Sequence, residues 1–301
     1  EYNKDISKCD IALVGVPHST GNGTTERDQH LGPRAVRHVS AGLKRVHLDF
    51  NINPWKKKKI FDLGDVALPH ANNNEKCIED ITNFYSKIAL ENKPVVSIGG
   101  DHSITGGILQ GLGSNNLKMT EGKKISFLHI DAHTDTFSQL DHFMGAKKSA
   151  AHWGAYLVDQ GIINPHNSMQ IGMRDNPRTL DWLQPSYDLG YNVVTMDEFK
   201  KRGIDKVIEE TLDKIGDNPV YITFDLDSLD ASVAPAVSNI EPSFTGFSID
   251  EAKALIQSVK NKNVIGGDVV CLMPTKDHKN NITSMVAASI MFEIISVIAY
   301  D

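Results

Sequence analysis

The sequence predicts an α/β fold, a three-layer α/β/α sandwich built around a mostly parallel sheet. Three observations carry that reading. Short apolar runs at residues 10–17, 94–100, 123–130 and 221–224 have the composition of strands buried on both faces. Between the strands, apolar residues recur at helical spacing. No linker, repeat or low-complexity segment interrupts the 301 residues, so 1–301 reads as one doubly wound domain.

Taken in order, the first strand, 10–17, is closed by Gly15 and Pro17. A polar loop follows, long enough beside a first strand to be functional, with His18 and His30 as possible pocket residues. Pro33 suits the first turn of a helix over 32–37. Residues 60–65 form a second strand. Residues 72–92 form an amphipathic helix with Ile78, Ile81, Phe84, Tyr85, Ile88 and Ala89 on one face. The strand at 94–100 feeds a helix that opens near Ser103 and runs towards Leu112. After the strand at 123–130, residues 136–151 lack periodicity and read as loop, and 152–161 as helix. Further strands fall at 169–172, 192–196 and 264–272, and helices at 179–190, 207–215, 248–259 and 282–300. The helix at 248 carries a capping box, Ser248 with Glu251 three residues on.

Composition narrows the function. A formal net charge of −7 and a pI of about 5.9 argue against nucleic acid as the main partner and tolerate a cationic substrate. The block Lys56–Lys59 reads as a solvated loop. Cys9, Cys77 and Cys271 are odd in number and lack CxxC spacing, so they read as free thiols in a reducing compartment, and a cytoplasmic location is expected. Asn22-Gly23-Thr24 and Asn281-Ile282-Thr283 match the glycosylation pattern without a secretory signal to support them. The apolar stretch 285–300 is interrupted by Glu293 and is too short to span a bilayer, so no membrane partner is expected.

The chemistry gathers at strand ends. Asp131-Ala132-His133-Thr134-Asp135 follows the run at 125–130, and in extended chain Asp131, His133 and Asp135 point the same way. Asp225 and Asp227 end the run at 221–224, and His102 ends the run at 94–100. A single Asp at a strand end is explained as a helix cap or turn former. Six ligand-type residues on three strand ends, two of those ends in period-two register, are explained by metal. Mixed imidazole and carboxylate donors suit Mn²⁺ or Ni²⁺. Four carboxylates, two divalent ions and a shared hydroxide leave a charge of about −1, which suits a cation and points to two-ion hydrolysis.

Gly99-Gly100-Asp101-His102-Ser103, the Asp131–Asp135 stretch and Phe224-Asp225-Leu226-Asp227-Ser228-Leu229-Asp230 together resemble the signature motifs of the ureohydrolases, that is, arginase, agmatinase and their relatives. Gly15-Val16-Pro17, Gly32-Pro33-Arg34-Ala35-Val36-Arg37 and Asp268-Val269-Val270 resemble that family's opening and close, so the likeness covers nearly the whole chain. It implies an arginase-like sheet sandwiched by helices and hydrolysis of a guanidinium C–N bond to release urea. By the family pattern His102, Asp131, Asp135 and Asp225 hold one ion. Asp131, His133, Asp225 and Asp227 hold the other, with Asp131 and Asp225 bridging. It also implies a homotrimer or homohexamer. Asp135 is expected to take a proton from the attacking water, and His152 or another pocket group to protonate the leaving nitrogen.

Three departures from the pattern bear on specificity. The family's His-Gly after the central motif becomes Lys148-Ser149-Ala150-Ala151-His152-Trp153, which displaces the histidine and sets Trp153 beside it as a possible guanidinium platform. The Glu that clamps the guanidinium becomes Cys271, which has no carboxylate to accept two N–H groups. Glu241, after Asn239, is the residue expected to compensate. The third, Asp230-Ala231 for the usual Asp-Pro, alters a loop. The Cys-Leu-Met-Pro close resembles the branch acting on free guanidine. Agmatine, guanidinobutyrate and guanidinopropionate are the alternative substrates. A non-catalytic relative and a deacetylase-like amidohydrolase are the competing classes.

Overall fold

The computed structural model describes residues 2–23, 26–41, 45–113, 118–142, 145–174, 177, 179–241 and 245–300. Eight strands form one sheet: β1 (Ile11–Val16), β2 (Ile60–Asp65), β3 (Val95–Gly99), β4 (Ser126–Ile130), β5 (Met169–Met173), β6 (Asn192–Thr195), β7 (Val220–Asp225) and β8 (Val264–Val270). Their order across the sheet is β2-β1-β3-β8-β7-β4-β5-β6, and every pairing is parallel. The central β3, β4 and β7 are buried at every position, whereas edge strands β2 and β6 are partly exposed. That gradient is why the middle strands read as uninterrupted apolar runs.

Ten α-helices lie among the described residues: α1 (Gly32–Ser40), α2 (Pro54–Lys57), α3 (Asn74–Leu90), α4 (Ser103–Gly113), α5 (Trp153–Asp159), α6 (Gln184–Leu189), α7 (Met196–Arg202), α8 (Ile204–Ile215), α9 (Ile249–Ser258) and α10 (Ile282–Ile298). Ile78, Ile81 and Tyr85 of α3 and Ile104 and Ile108 of α4 pack with Val14, Val95 and Phe127 on one face of the sheet. Val36 of α1, Leu255 of α9 and Ile290 and Ile294 of α10 pack with Ile11, Val96, Leu128 and Val269 on the other. Along each strand, successive side chains therefore enter opposite cores, which makes the three layers. Pro33 stands in the first turn of α1, and Arg37 on that helix grips Asp62 of β2 with Nε and Nη2 at 2.8 and 2.9 Å.

The structure departs from the sequence reading in four places. The strand expected at 192–196 stops at Thr195, because Thr195 and Glu198 form a capping box that opens α7. The helix expected over 179–190 is confined to α6. Part of the Lys56–Lys59 block is the short helix α2, capped by Asn53. Residues 131–135 are not extended strand: β4 ends at Ile130, and Asp135 has φ of +53°. No described helix is long and apolar enough to cross a membrane, and all three cysteines are free and buried.

Candidate metal centre

β3, β4, β7 and β8 lie side by side, so their carboxyl ends open on one crevice. His102 follows β3 and is buried. Its Nδ1 lies 2.9 Å from both Asp131 Oδ2 and Asp135 Oδ2, and 3.2 Å from Asp225 Oδ2. On the other side of Asp131, His133 Nδ1 lies 3.4 Å from Asp131 Oδ1 and 3.3 Å from Asp227 Oδ2. The two oxygens of Asp131 therefore face two different donor groups.

The arrangement fits divalent ions better than hydrogen bonds. His102 Nδ1 has three carboxylate oxygens within 3.2 Å yet makes no hydrogen bond to any of them, and Asp227 Oδ2 is likewise without a hydrogen-bond partner among the described residues. One N–H cannot serve three acceptors. Neighbouring ligands around an octahedral ion with bonds of about 2.1 Å lie about 3 Å apart, which is the spacing seen.

Without ions the charges work against one another. Burial and the negative charges of Asp225 and Asp131 push the Asp227 carboxyl well above the usual range, against the pull of His133. Burial would also raise Asp131, but His129, His102 and His133 overcome it and hold that carboxyl well below its usual value. Burial opposes charge on His102 and His133. The carboxylates around them prevail and raise both imidazoles, with Glu241 adding to the effect on His133.

Local structure explains each placement. The Asp131 and Asp225 carboxylates accept the backbone N–H two residues on, from His133 at 2.7 Å and Asp227 at 2.9 Å. These turns aim both pairs into the crevice. The left-handed backbone at Asp135, not strand alternation, brings its carboxylate back beside Asp131. Gly100 admits no side chain, because a Cβ there would strike the carbonyl of His18. Arg174, which the sequence reading missed, buries its guanidinium against the carbonyls of Asp227, Ser228 and Leu229 at 2.7, 2.9 and 3.1 Å, fixing the loop after β7.

A cleft of about 520 Å³ opens from the centre, and Glu241, Asn239 and Cys271 line it. Glu241 is buried. Its Oε1 lies 2.8 Å from His133 Nε2, and its Oε2 has no hydrogen-bond partner among the described residues. Cys271 holds a left-handed φ of +68°. Burial, with Asp225 and Asp227 nearby, pushes its thiol well above the usual range, so it remains protonated.

Three expected pocket residues are placed elsewhere. His18 is buried against Asn74, 3.0 Å from its Oδ1. Trp153 lies in the core behind the site, with Nε1 donating to Asp135 Oδ2 at 2.9 Å, so it supports Asp135 rather than offering a face to the cleft. His152 lies outside the cleft lining, with Nδ1 2.6 Å from Ser149 Oγ and Nε2 3.0 Å from the Leu140 carbonyl. Burial lowers its pKa. Its neighbour His142, at 6.0 Å between ring centroids, does line the cleft. Nothing in the local sequence singles out His142. His129 was also missed, although it stands two residues before Asp131 in the same period-two series, and its ring joins His102, Asp131 and Asp135 in one cluster.

Residues 9–296 match the Arginase family model. The mitochondrial guanidino acid hydrolase of Homo sapiens is 31% identical over 286 residues, covering 95% of this chain and 77% of that protein. The guanidinopropionase of Pseudomonas aeruginosa is 28% identical over 297 residues, covering 98% and 88%. Among solved structures, the proclavaminate amidino hydrolase of Streptomyces clavuligerus superposes with a TM-score of 0.87 at 28% identity, covering 99% of this chain and 95% of that one. Whole-chain likeness of this order, on a sheet that gathers carboxylates and imidazoles into two donor groups, makes the chain a member of the arginase family, a metal-dependent hydrolase of C–N bonds with a binuclear site.

Proposed function

We propose that the protein hydrolyses a small guanidinium compound to urea, and that the substrate is guanidine itself, with ammonia as the second product. The observation carrying this reading is Glu241. One oxygen of its buried carboxylate meets His133; the other is buried without a hydrogen-bond partner among the described residues, in a side chain that lines the cleft, which leaves an acceptor for a guanidinium N–H. Cys271, kept as a thiol, adds no second carboxylate clamp, and no described Lys or Arg lines the cleft to hold a tail carboxylate.

In this proposal His102, Asp131, Asp135 and Asp225 hold one ion and Asp131, His133, Asp225 and Asp227 the other. Mn²⁺ and Ni²⁺ are the candidates. Two divalent ions there supply a water that is nucleophilic at neutral pH and stabilise negative charge at the reacting centre. Asp135 takes the proton of that water on Oδ1, since Trp153 engages Oδ2. Glu241 orients the planar cation, and His133 Nε2 holds Glu241 in place. His142, a cleft histidine outside the ligand set, replaces His152 as the proton donor to the leaving nitrogen.

A second reading, a guanidinium compound with a tail, is favoured by the width of the cleft, where Phe137, Trp182 and Asp141 line the wall beyond the donors. Agmatine's ammonium would meet Asp141. Urea release from guanidine, agmatine, guanidinobutyrate, guanidinopropionate and arginine, each with Mn²⁺ and with Ni²⁺, separates the readings. The highest kcat/KM should fall to guanidine, and a decisive preference for any tailed substrate would refute it. Glu241→Gln should raise KM about 10–100-fold through the lost charge-assisted contact. A homotrimer or homohexamer is proposed from the family resemblance, and sedimentation of the purified chain tests it.

A further inference from the structure

We propose that His129 is a positioning residue for the binuclear site. Held by Gln170, it donates a hydrogen bond that fixes Asp131 so that each carboxylate oxygen faces a different donor group, where the two ions would be held. The inference rests on the two-ion reading above and concerns a histidine to which that reading gives no task.

β4 and β5 run parallel with His129 opposite Gln170, and both side chains are fully buried. Gln170 Nε2 lies 2.6 Å from the Thr134 carbonyl and 3.1 Å from His129 Nδ1. A carbonyl oxygen only accepts, so the amide must present its nitrogen there, and the orientation of the amide follows. Its second hydrogen then points at His129 Nδ1, which must carry the lone pair. The ring proton is therefore on Nε2, 2.7 Å from Asp131 Oδ2, to which it donates.

His129 thus has no lone pair to offer an ion, although its ring nitrogen lies within 4.8 Å of the ligand atoms of His102, Asp131 and Asp135. Its place is set by packing as well, since the rings of Trp153 and Phe127 meet it at 5.0 and 5.7 Å, near edge-on. The effect on Asp131 is symmetrical. Oδ2 accepts from His129 and faces His102 and Asp135. Oδ1 accepts from the backbone N–H of His133 at 2.7 Å and faces the His133 and Asp227 side chains. With one fixed donor on each oxygen, the carboxylate cannot rotate to give both oxygens to one ion. Hydrogen-bond partners of this kind orient metal ligands and are worth about 10–100-fold in metal affinity.

The test uses the full chain, stripped of ions and titrated with Mn²⁺, with stoichiometry and Kd read by calorimetry and elemental analysis. Melting of the ion-free protein is followed in parallel. His129→Gln keeps an N–H near the position of Nε2, whereas His129→Leu removes it. Gln170→Leu keeps His129 but frees its tautomer. The expected result is two ions per wild-type chain, near wild-type affinity in His129→Gln, and at least tenfold weaker binding in His129→Leu and Gln170→Leu. Ion-free His129→Leu, which strands buried polar groups on Asp131 and Gln170, should melt a few degrees below His129→Gln, so affinities are compared at a temperature where both variants are folded. Wild-type affinity in His129→Leu overturns the proposal. Equal loss in His129→Gln and His129→Leu also overturns it, because the ring would then only fill space. Uptake of a single ion by the wild-type chain overturns the two-ion reading itself, and the bridging role of Asp131 with it, whatever the variants show.

Discussion

Thr223→Val tests how the site is braced from below. The Thr223 hydroxyl donates to Asp268 Oδ1 at 2.7 Å and accepts from His102 Nε2 at 2.9 Å, so a buried chain runs from an imidazole of the donor cluster to a buried carboxylate. Valine has nearly the same shape, so the cavity term is small and the cost is polar. It strands the His102 Nε2–H and one oxygen of Asp268. Each unsatisfied buried group costs about 1–3 kcal/mol. Two such groups give about 2–6 kcal/mol; Asp268 keeps the hydroxyls of Thr105 and Tyr221 on Oδ2, both at 2.9 Å, which places the sum in the lower half, about 2–4 kcal/mol. For a chain of this length roughly 2 °C of melting temperature follows each kcal/mol, so ion-free Thr223→Val should melt about 4–8 °C below wild type. Thr223→Ser keeps the hydroxyl and drops one methyl group, a loss of about 1 kcal/mol or 2 °C. Thermal circular dichroism of the three ion-free proteins decides it. If valine melts no lower than serine, the His102–Thr223–Asp268 chain contributes nothing and the bracing argument fails.

Ion loading should release protons. In the ion-free protein the surrounding carboxylates overcome burial and raise His102 and His133 well above the usual imidazole range, so both hold protons at neutral pH that an ion must displace. Mn²⁺ affinity should therefore weaken as pH falls, and titration calorimetry in buffers of different ionisation enthalpy should show proton release; none would contradict the electrostatics. At the sheet edge, burial raises the Asp62 carboxyl, but Arg37, with help from the Gly64 N–H, outweighs it and depresses the pKa. A depressed carboxyl stabilises the fold above its unfolded pKa of about 3.9, and that contribution is lost as pH falls through the folded value. Denaturation curves of wild type and Arg37→Met should therefore differ at pH 7 and converge in acid, whereas a constant gap would place the contribution elsewhere. Gly172 has φ of +105°, and a Cβ there would meet the Phe247 ring and lie 2.9 Å from the Asp131 carbonyl. Gly172→Ala should cost about 3 kcal/mol and weaken ion binding through the shifted Asp131 backbone; an unchanged melting temperature and affinity would show that Phe247 gives way freely.

The sheet was legible because its central strands are buried on both faces, so β1, β3, β4, β7 and β8 stand out as apolar runs. α7 was not, although Thr195 and Glu198 spell a capping box, because the apolar run of β6 reads straight into Met196. The ligand-type residues gather where the motifs place them, but Asp131, His133 and Asp135 converge through a left-handed turn rather than strand alternation. Which side of the site a residue occupies was harder to read. Trp153, His18 and His152 are polar-tipped residues near a motif, and only tertiary packing turns them away from the cleft and towards Asp135, Asn74 and Ser149. His142 enters the cleft from a loop without periodicity, so no local pattern could mark it.

The position of β8 has a consequence for how the protein is made. It lies between β3 and β7, yet it is the last of the eight strands in chain order. Without β8, β2-β1-β3 and β7-β4-β5-β6 are not joined, and each would expose the edge that β8 covers. His102 belongs to the first half, and Asp131, Asp135 and Asp225 belong to the second. At about 5–20 residues per second, synthesis of the stretch from Asp225 to the end of β8 takes seconds, during which the seam between His102 and these carboxylates cannot close. The full donor set is therefore complete only once β8 joins the two halves of the sheet.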